Sequence, residues 1–223
     1  MKKKVIIIAA HPDDEALGCA GTIAKHVAQS DIVHTVFMTN GIGARPNQSE
    51  EKIKKRLKVS KLVQSFLGIS SSRYLNFPDN SMDSVPFLDI VKKLEEIIFK
   101  LKPSVIYTHC HCDLNIDHQI THTAVMTACR PIPKSSIREI YGFEVLSSTE
   151  WSTTQKFTFA PTFFVDILKY HAIKIKALQM YKDEMRTEPH SRSIKHSKIL
   201  AQHRGYTVGY EMAEAFEVYR IVD

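Results

Sequence analysis

One histidine and three consecutive acids stand directly behind the first apolar run of the chain, in AAHPDDEALG. His11 and Asp14 are three residues apart across a predicted strand-to-helix turn, so both side chains can face one point. An imidazole and a carboxylate suit a zinc-like ion. Asp13 then stands beside the ion and can accept a proton, whereas Glu15 gains from the positive end of the helix. The segment therefore predicts part of a metal centre.

Two other interpretations fit the same segment. The acids can be an ordinary acidic cap of the following helix, with His11 merely exposed. A Gly-rich dinucleotide loop is the other, because GCAG (18–21) follows the first strand. That loop lacks the G-x-G-x-x-G spacing, and three acids would repel a pyrophosphate. Like charges at close range also repel one another, so a cation, a helix end or solvent has to offset them.

A third metal ligand has to come from another loop, because a catalytic zinc has three protein ligands and one open position. The segment HCHCDLNIDHQITH (109–122) supplies candidates. His118 lies at the start of a predicted helix, whereas His122 lies one turn deeper and is expected to pack or to support a ligand. Cys110 and Cys112 are interpreted as ordinary strand-end residues, because two thiolates one residue apart rarely chelate a single ion.

Strands and helices that alternate along the chain must bring these loops together. The continuous β-branched run VIIIAA (5–10) is typical of a strand buried on both faces. The alternation predicts an α/β fold, a Rossmann-like, doubly wound, mostly parallel sheet with helices on both faces. Ligands bind at the carboxyl ends of such strands, where most of the polar clusters fall. Strands are predicted at 5–10, 34–40, 73–77, 103–109 and 138–145, and helices at 15–29, 49–68, 86–102 and 117–130.

The whole chain, residues 1–223, is predicted to form one domain. Residues 1–145 hold the α/β alternation, and residues 146–223 supply C-terminal strands and helices that pack on it. One or two strands are predicted within 157–167, with helices near 169–185 and 191–204.

The amino-acid composition limits the classes of protein to which the chain can belong. Apolar residues make up 43% of the 223 residues and charged residues 24%, which is ordinary for a soluble globular protein. Four cysteines without a disulfide framework or a CxxC pair predict a reducing, cytoplasmic location. The start MKKKVIIIAA is too short for a signal peptide, and no stretch reaches the roughly 20 apolar residues of a membrane span.

The net charge of +6 has two interpretations. We favour solvated faces of amphipathic helices at 52–61 and 169–176, which places Arg56 in solvent. The alternative is attraction to an anionic substrate or surface. Nucleic acid is not expected as a partner, because aromatic RNA-binding signatures and zinc-finger spacings are absent from the sequence. A homo-oligomer is left open.

Several motifs together resemble the PIG-L/LmbE family of zinc-dependent N-deacetylases. The matching segments are AAHPDDEALGCAGT (9–22), LNFPD (75–79) and PSVIYTHCHCDLNIDHQ (103–119). The tail resembles the subgroup linked to bacterial surface-sugar pathways, in FEVLSSTEW (143–151), EPHSRS (188–193) and HRGYTVGYEMAEAF (203–216). The resemblance thus spans most of the chain.

The resemblance implies roles for single residues. His11, Asp14 and His118 match the metal ligands, with zinc as the default and another divalent transition metal as the alternative. Asp13 matches the general base, and Asp117 matches a residue that orients the catalytic neighbourhood. The implied reaction removes the acetyl group of an N-acetylated amino sugar of the GlcNAc type, nucleotide- or lipid-linked, and releases acetate.

One departure from the family concerns the residue that completes catalysis. Many members have a histidine in the run H-P-D-H where this chain has Asn115. An amide can donate a hydrogen bond to an oxyanion, but it cannot give up a proton at neutral pH. The acid that protonates the leaving amine is then Asp13 itself, His111 or His190, and the sequence leaves these open.

The predicted substrate contacts are Asp79, Arg45, His190 and Arg192. Asp79 resembles a family position that meets sugar hydroxyls, although a turn residue after a proline is an equal alternative. The other three can meet a phosphate or a nucleotide. Trp151 and Tyr141 can stack on a sugar ring, though aromatic side chains more commonly pack in a core. The sugar and its carrier stay undetermined.

Three other functions remain open from the sequence. A metal- or sugar-binding module on the same fold would bind a metal without releasing acetate. A Rossmann-type methyltransferase or dehydrogenase would bind an adenine nucleotide and need no metal. A deacetylase of a thiol-linked glucosamine or an antibiotic precursor would keep the chemistry and change the substrate, because a fold does not determine a substrate.

Overall fold

The computed structural model describes residues 2–44, 49–153 and 158–223. Its strands are β1 (Lys4–Ala9), β2 (Ile32–Thr39), β3 (Ser71–Phe77), β4 (Val105–His109), β5 (Glu139–Phe143), β6 (Phe163–Asp166) and β7 (Ala213–Ile221). Its helices are α1 (Asp14–Ala28), α2 (Glu50–Phe66), α3 (Phe87–Leu101), α4 (Ile116–Ala128), α5 (His171–Met180) and α6 (Ile194–Tyr206). Among the described helices, none is both long and apolar enough to span a membrane.

The strands form one seven-stranded sheet in the order β3-β2-β1-β4-β5-β7-β6. The pairs among the first five strands are parallel, and β7 runs antiparallel to both of its neighbours. The chain moves outward from β1 to β3 and then returns to place β4 on the other side of β1. The carboxyl ends of β1 and β4 therefore form the switch point at which open α/β sheets bind ligands.

The central strand β1 is buried on both faces, as its apolar run predicts. Val5 and Ile7 pack into one core layer with apolar residues of α1 and α5. Ile6 and Ile8 pack into the opposite layer with apolar residues of α3 and α4. Successive side chains of a strand point to opposite faces, so one strand feeds both layers. The prediction of a single-domain, mostly parallel α/β fold with helices on both faces is confirmed.

The C-terminal part of the sheet differs from the sequence prediction. One or two strands are predicted within 157–167, of which residue 157 lies outside the described residues. In the structure β6 covers Phe163–Asp166, and β7 inserts between it and β5. The segment AEAFEVYRI lacks a clear apolar period, because Glu214 and Glu217 are buried within it.

Glu214 also ties β7 to the helix that carries the first acids. The carboxylate of Glu214 accepts hydrogen bonds from the backbone N–H groups of Gly21 (3.0 Å) and Thr22 (2.6 Å). Those two N–H groups follow a break in α1 at Cys19, whose φ and ψ are not helical. Lys174 of α5 donates to Glu214 and to the carbonyl of Leu17, both at 2.7 Å. This buried pair holds α1 in place behind the candidate site.

Candidate active site

A polar cleft of about 180 Å³ opens at the carboxyl ends of β1 and β4. The turn after β1 and the turn after β4 both contribute to it, as does the C-terminal part of the chain. Its lining residues are His11, Asp13, Asp14, Gly41, Arg56, Asn80, Asn115, His118, Ser147, Ser148, Glu184 and Arg192.

The turn between β1 and α1 gives each of its three acids a different environment. The carboxylate of Asp14 accepts a hydrogen bond from the His11 N–H at 2.8 Å. Glu15 points away from the cleft and accepts hydrogen bonds from Gln64 (2.6 Å) and Tyr181 (2.8 Å). Asp13 has a φ of 134°, a strained conformation that turns its side chain into the cleft. The fold thus gives each of the three neighbouring acids its own polar partners, which offset part of their mutual repulsion.

The atoms of His11, Asp14 and His118 that face one another form a nearly equilateral triangle. His11 Nδ1 lies 3.2 Å from Asp14 Oδ2 and 3.2 Å from His118 Nε2. The third side, from His118 Nε2 to Asp14 Oδ2, is 3.3 Å. Zinc bonds of about 2.0–2.2 Å in a tetrahedral arrangement hold their ligand atoms roughly 3.4 Å apart. The donor set and its spacing therefore fit a zinc-like ion.

The second nitrogen of each imidazole faces a carboxylate. His118 Nδ1 lies 3.0 Å from Asp113 Oδ1. His11 Nε2 lies 3.2 Å from Asp117 Oδ2 and 3.5 Å from Asp79 Oδ1. Carboxylates in this position determine the tautomer and the direction of a metal-binding histidine. The outer carboxylates thus aim the inner nitrogens at the same point.

The carboxylates also determine the protonation of the two imidazoles. Burial by itself would lower the pKa of each ring. Together the neighbouring carboxylates, with Asp14 the strongest among them, outweigh the burial, and the pKa rises to about 10 for His11 and to about 9 for His118. A metal therefore has to displace protons from the imidazoles when it binds.

The turn between β4 and α4 is organised by Asn115. Its Oδ1 accepts hydrogen bonds from the backbone N–H groups of Asp117 (2.8 Å) and His118 (3.4 Å), so it caps α4. Its Nδ2 donates to Asn80 Oδ1 at 3.0 Å. The cap positions the first turn of the helix, which carries His118. The Asp117 carboxylate accepts from the N–H groups of Asn80 and Met82, which ties the loop after β3 to α4.

Two guanidinium groups flank the Asp13 carboxylate. Arg56 Nη2 lies 3.2 Å from Asp13 Oδ1, and Arg192 Nη1 lies 3.1 Å from Asp13 Oδ2. Arg56 also pairs with Glu184 at 2.8 Å and donates to the carbonyl of Pro12. Burial raises the pKa of Asp13, and the two arginines act against that rise. Asp13 is therefore a carboxylate that two arginines hold in place, next to the ligand triangle but not part of it.

The sequence pattern of the PIG-L family, GlcNAc-PI de-N-acetylase, matches residues 6–129. This segment is more than half of the chain and contains every residue of the ligand triangle. The chain belongs to the PIG-L family of deacetylases.

Similar proteins extend the comparison over the rest of this PIG-L family chain. "Uncharacterized deacetylase YaiS" of Escherichia coli K12 is 30% identical over 81% of the chain and 91% of its own length. The N,N'-diacetylchitobiose deacetylase structure from Pyrococcus horikoshii has a TM-score of 0.79 at 22% identity, covering 98% of this chain and 84% of that one. The structure of GalB, a 4-carboxy-2-hydroxymuconate hydratase of Pseudomonas putida KT2440, has a TM-score of 0.78 at 20% identity, covering 100% and 99%. At these identities the two structures show a shared fold.

The predicted substrate residues are placed differently from one another in this PIG-L chain. Arg192 lines the cleft, and Arg45 lies outside the described residues. The Asp79 carboxylate is buried behind His11, where it accepts from Thr39 (3.1 Å) and from the Ala44 N–H (3.0 Å). His190 is exposed, outside the lining of the cleft, and its Nδ1 accepts from the Arg192 N–H at 3.0 Å. Their substrate roles stay predictions.

The structure also places the two aromatic residues considered for sugar stacking and the additional histidine of α4. Tyr141 is buried in the core and stacks on Tyr107, which favours the packing alternative. Trp151 is exposed, with its ring centroid 5.7 Å from that of His190. His122 Nδ1 donates to the carbonyl of His109 at 3.0 Å, which agrees with a packing role.

The prediction of a solvated Arg56 is wrong. Arg56 is only 7% exposed, and it points into the site because Asp13 and Glu184 lie on that side of α2. The sequence could not indicate this, since the helix carries several other cations with the same local pattern. Asp113, which lies 3.0 Å from His118 Nδ1, is a site residue that the sequence analysis does not identify, although it belongs to the segment 109–122.

Proposed function

We propose that the protein is a metal-dependent hydrolase that removes the N-acetyl group from an amino sugar of the GlcNAc type and releases acetate. The observation that carries the proposal is the ligand triangle of His11, Asp14 and His118 with a separate carboxylate, Asp13, beside it. The family description names GlcNAc-PI, and the Pyrococcus horikoshii enzyme is named for N,N'-diacetylchitobiose. Both names support an N-acetylglucosamine unit as the recognised part of the substrate.

The metal, zinc by default, would be held by the triangle and would supply an acidified water and a polarised carbonyl. Asp13 Oδ accepts the proton of the attacking water. A general base works best when its pKa approaches the working pH, and burial moves the pKa of Asp13 in that direction. Arg56 and Arg192 hold the two oxygens of Asp13 in place from either side.

Asn115 supports the step in which negative charge develops on the acetamide oxygen. Its amide nitrogen carries two hydrogens, of which one is donated to Asn80. The second hydrogen can be donated to an oxyanion in the cleft, where Asn115 is a lining residue. Asp117 positions His11 in the same step.

Asp13 also returns the proton to the leaving amine in this proposal. His111 and His190, the other candidates, are both outside the lining of the cleft. A carboxylate that has just taken a proton lies beside the amine and needs no further acid. Arg192, which also donates to Ser147 at 2.8 Å, stands at the rim where a sugar hydroxyl or a phosphate would arrive.

The test measures acetate release from GlcNAc, UDP-GlcNAc, N,N'-diacetylchitobiose and a GlcNAc-lipid. The protein is used metal-stripped and zinc-loaded, with Asp13→Asn as the matched variant. We expect zinc-dependent release from at least one substrate, and release lowered by about 10²–10⁴-fold in the variant.

Three outcomes would contradict the proposal. Stoichiometric zinc at the triangle without acetate from any substrate would favour a binding protein, an alternative that Asn115 in place of histidine keeps open. Equal release by the stripped and loaded proteins would exclude metal dependence. Adenine-nucleotide binding without acetate release would favour a cofactor enzyme instead.

A further inference from the structure

A second cluster of metal-ligating side chains lies at the other side of the β4 end. It contains His111, Cys112 and Glu217, and one ligand atom of each lies within 4.8 Å of the others. His111 Nδ1 is 3.1 Å from Glu217 Oε2. Among the clusters of this kind found in the described residues, it is the one that shares no residue with the catalytic triangle or its supporting carboxylates.

We propose that His111, Cys112 and Glu217 form a second site for a divalent transition metal, with zinc as the best-matched ion. Zinc accepts imidazole, thiolate and carboxylate together, whereas calcium and magnesium require oxygen ligands. Three protein ligands leave a fourth position for water. The His111 side chain is 33% exposed, so the position opens to solvent, while Cys112 and Glu217 are buried.

The spacing of the ligand atoms suits such an ion after small side-chain rotations. Zinc bonds of about 2.3 Å to sulfur and about 2.0–2.2 Å to nitrogen and oxygen place ligand atoms roughly 3.4–3.6 Å apart. The observed separations are all within 4.8 Å, and the nitrogen–oxygen pair is at 3.1 Å. Binding would release the thiol proton of Cys112.

The fold holds the cluster together through Tyr219. Its hydroxyl donates to Glu217 Oε2 at 2.5 Å and accepts from the His111 N–H at 3.0 Å. The other oxygen of Glu217 accepts from the Ala160 N–H at 3.0 Å. The tyrosine reaches both residues by crossing β5 at Gly142, where a Cβ would lie 2.5 Å from its hydroxyl oxygen. Outer contacts of this kind orient metal ligands.

Cys112, and not Cys110, supplies the sulfur. The two sulfur atoms are 3.6 Å apart, and both residues are buried. The Cys112 sulfur lies near the ligand atoms of His111 and Glu217, whereas the Cys110 sulfur contacts the Thr149 hydroxyl at 3.8 Å. The position of the sulfur atom therefore assigns the ligand to Cys112.

Cobalt titration of the full chain separates the two sites. The catalytic triangle contains no sulfur, so only the second site can give a near-ultraviolet thiolate-to-cobalt charge-transfer band. We expect two equivalents of cobalt and that band in the metal-stripped protein. Cys112→Ser should remove the band and one equivalent, whereas Cys129→Ser, a buried cysteine at the end of α4, should leave both.

Further variants keep the test decisive if Cys112→Ser folds poorly. His111→Ala removes a partly exposed ligand and should raise the cobalt concentration at half-maximal band at least tenfold. His118→Ala should lose the catalytic equivalent and keep the band, so failure of the proposed function is distinguishable. A single equivalent without the band, or a band that disappears in Cys110→Ser and persists in Cys112→Ser, would overturn the assignment.

Discussion

The floor of the cleft and its rim are built in different ways. The floor consists of His11, Asp14 and His118, which come from the first turns after β1 and β4. The rim around Asp13 consists of Arg56 from α2 and Arg192 from the C-terminal part of the chain. Floor residues lie in short motifs on neighbouring parallel strands, whereas 136 residues separate the two arginines that share one carboxylate.

The difference separates the candidate metal ligands from the surroundings of Asp13. Strand neighbours that are paired in register bring the floor together, and outer carboxylates aim its imidazoles. The rim depends on long-range packing, because it needs the C-terminal segment to fold over the sheet. Substitutions at the rim should therefore leave metal binding intact but impair the proposed role of Asp13 as the general base.

Replacing one of the three floor residues should have the largest effect. His118→Ala should abolish both turnover and the metal equivalent bound with His11 and Asp14, since two ligands hold a zinc-like ion poorly. Metal content after dialysis and acetate release measure the two losses. His122→Ala, one helical turn further on, should retain both. Equal losses in the two variants would remove the distinction between floor and packing residues.

The second-largest effect is expected when Asp13, the proposed general base, is replaced and the three floor residues are kept. Asp13→Asn should lower kcat by about 10²–10⁴-fold, the usual contribution of a general base, and leave metal content unchanged. Asparagine is chosen because it keeps the size and shape of aspartate at this strained position while removing the charge. Loss of metal in this variant would show that Asp13 belongs to the floor.

The two arginines should differ in their effect on stability. Arg56→Met removes a buried guanidinium that pairs with both Asp13 and Glu184, leaves Asp13 with Arg192, and should cost about 3–5 kcal/mol in the free energy of unfolding. Arg192→Met should cost about 1 kcal/mol, because Asp13 keeps Arg56 and the site faces water. Urea unfolding curves measure both. Similar losses of unfolding free energy in the two variants would mean that Arg56 stabilises the rim no more than Arg192 does.

The smallest effect concerns the outer carboxylate of the floor. Asp113→Asn should weaken metal affinity by about 10–100-fold, since an amide oxygen can occupy the position near His118 Nδ1 but carries no charge. Ser148→Ala removes only a hydroxyl that donates to Asp113 and should weaken affinity less. Competition with a chelator gives both affinities, and the reverse order would contradict the supporting role of Asp113.

Much of the fold could be predicted from local pattern, and the errors have one physical cause. β1 was predictable because a run of β-branched residues buried on both faces has few alternatives. β7 was not, because its buried Glu214 and Glu217 interrupt the apolar pattern that marks a strand. The partners of these glutamates, such as Lys174, lie far away in the sequence.

The α/β fold and the convergence of His11, Asp14 and His118 could be predicted from the sequence, because the carboxyl ends of parallel strands meet at one edge. The three-dimensional structure was needed to show that Arg56 is buried against Asp13, that Asp79 lies behind His11, and that Cys112 lies near Glu217. Each of these is a contact between charged or polar groups distant in the chain. Local periodicity reports which face of an element is apolar, and it carries no information about which buried charge another element will supply.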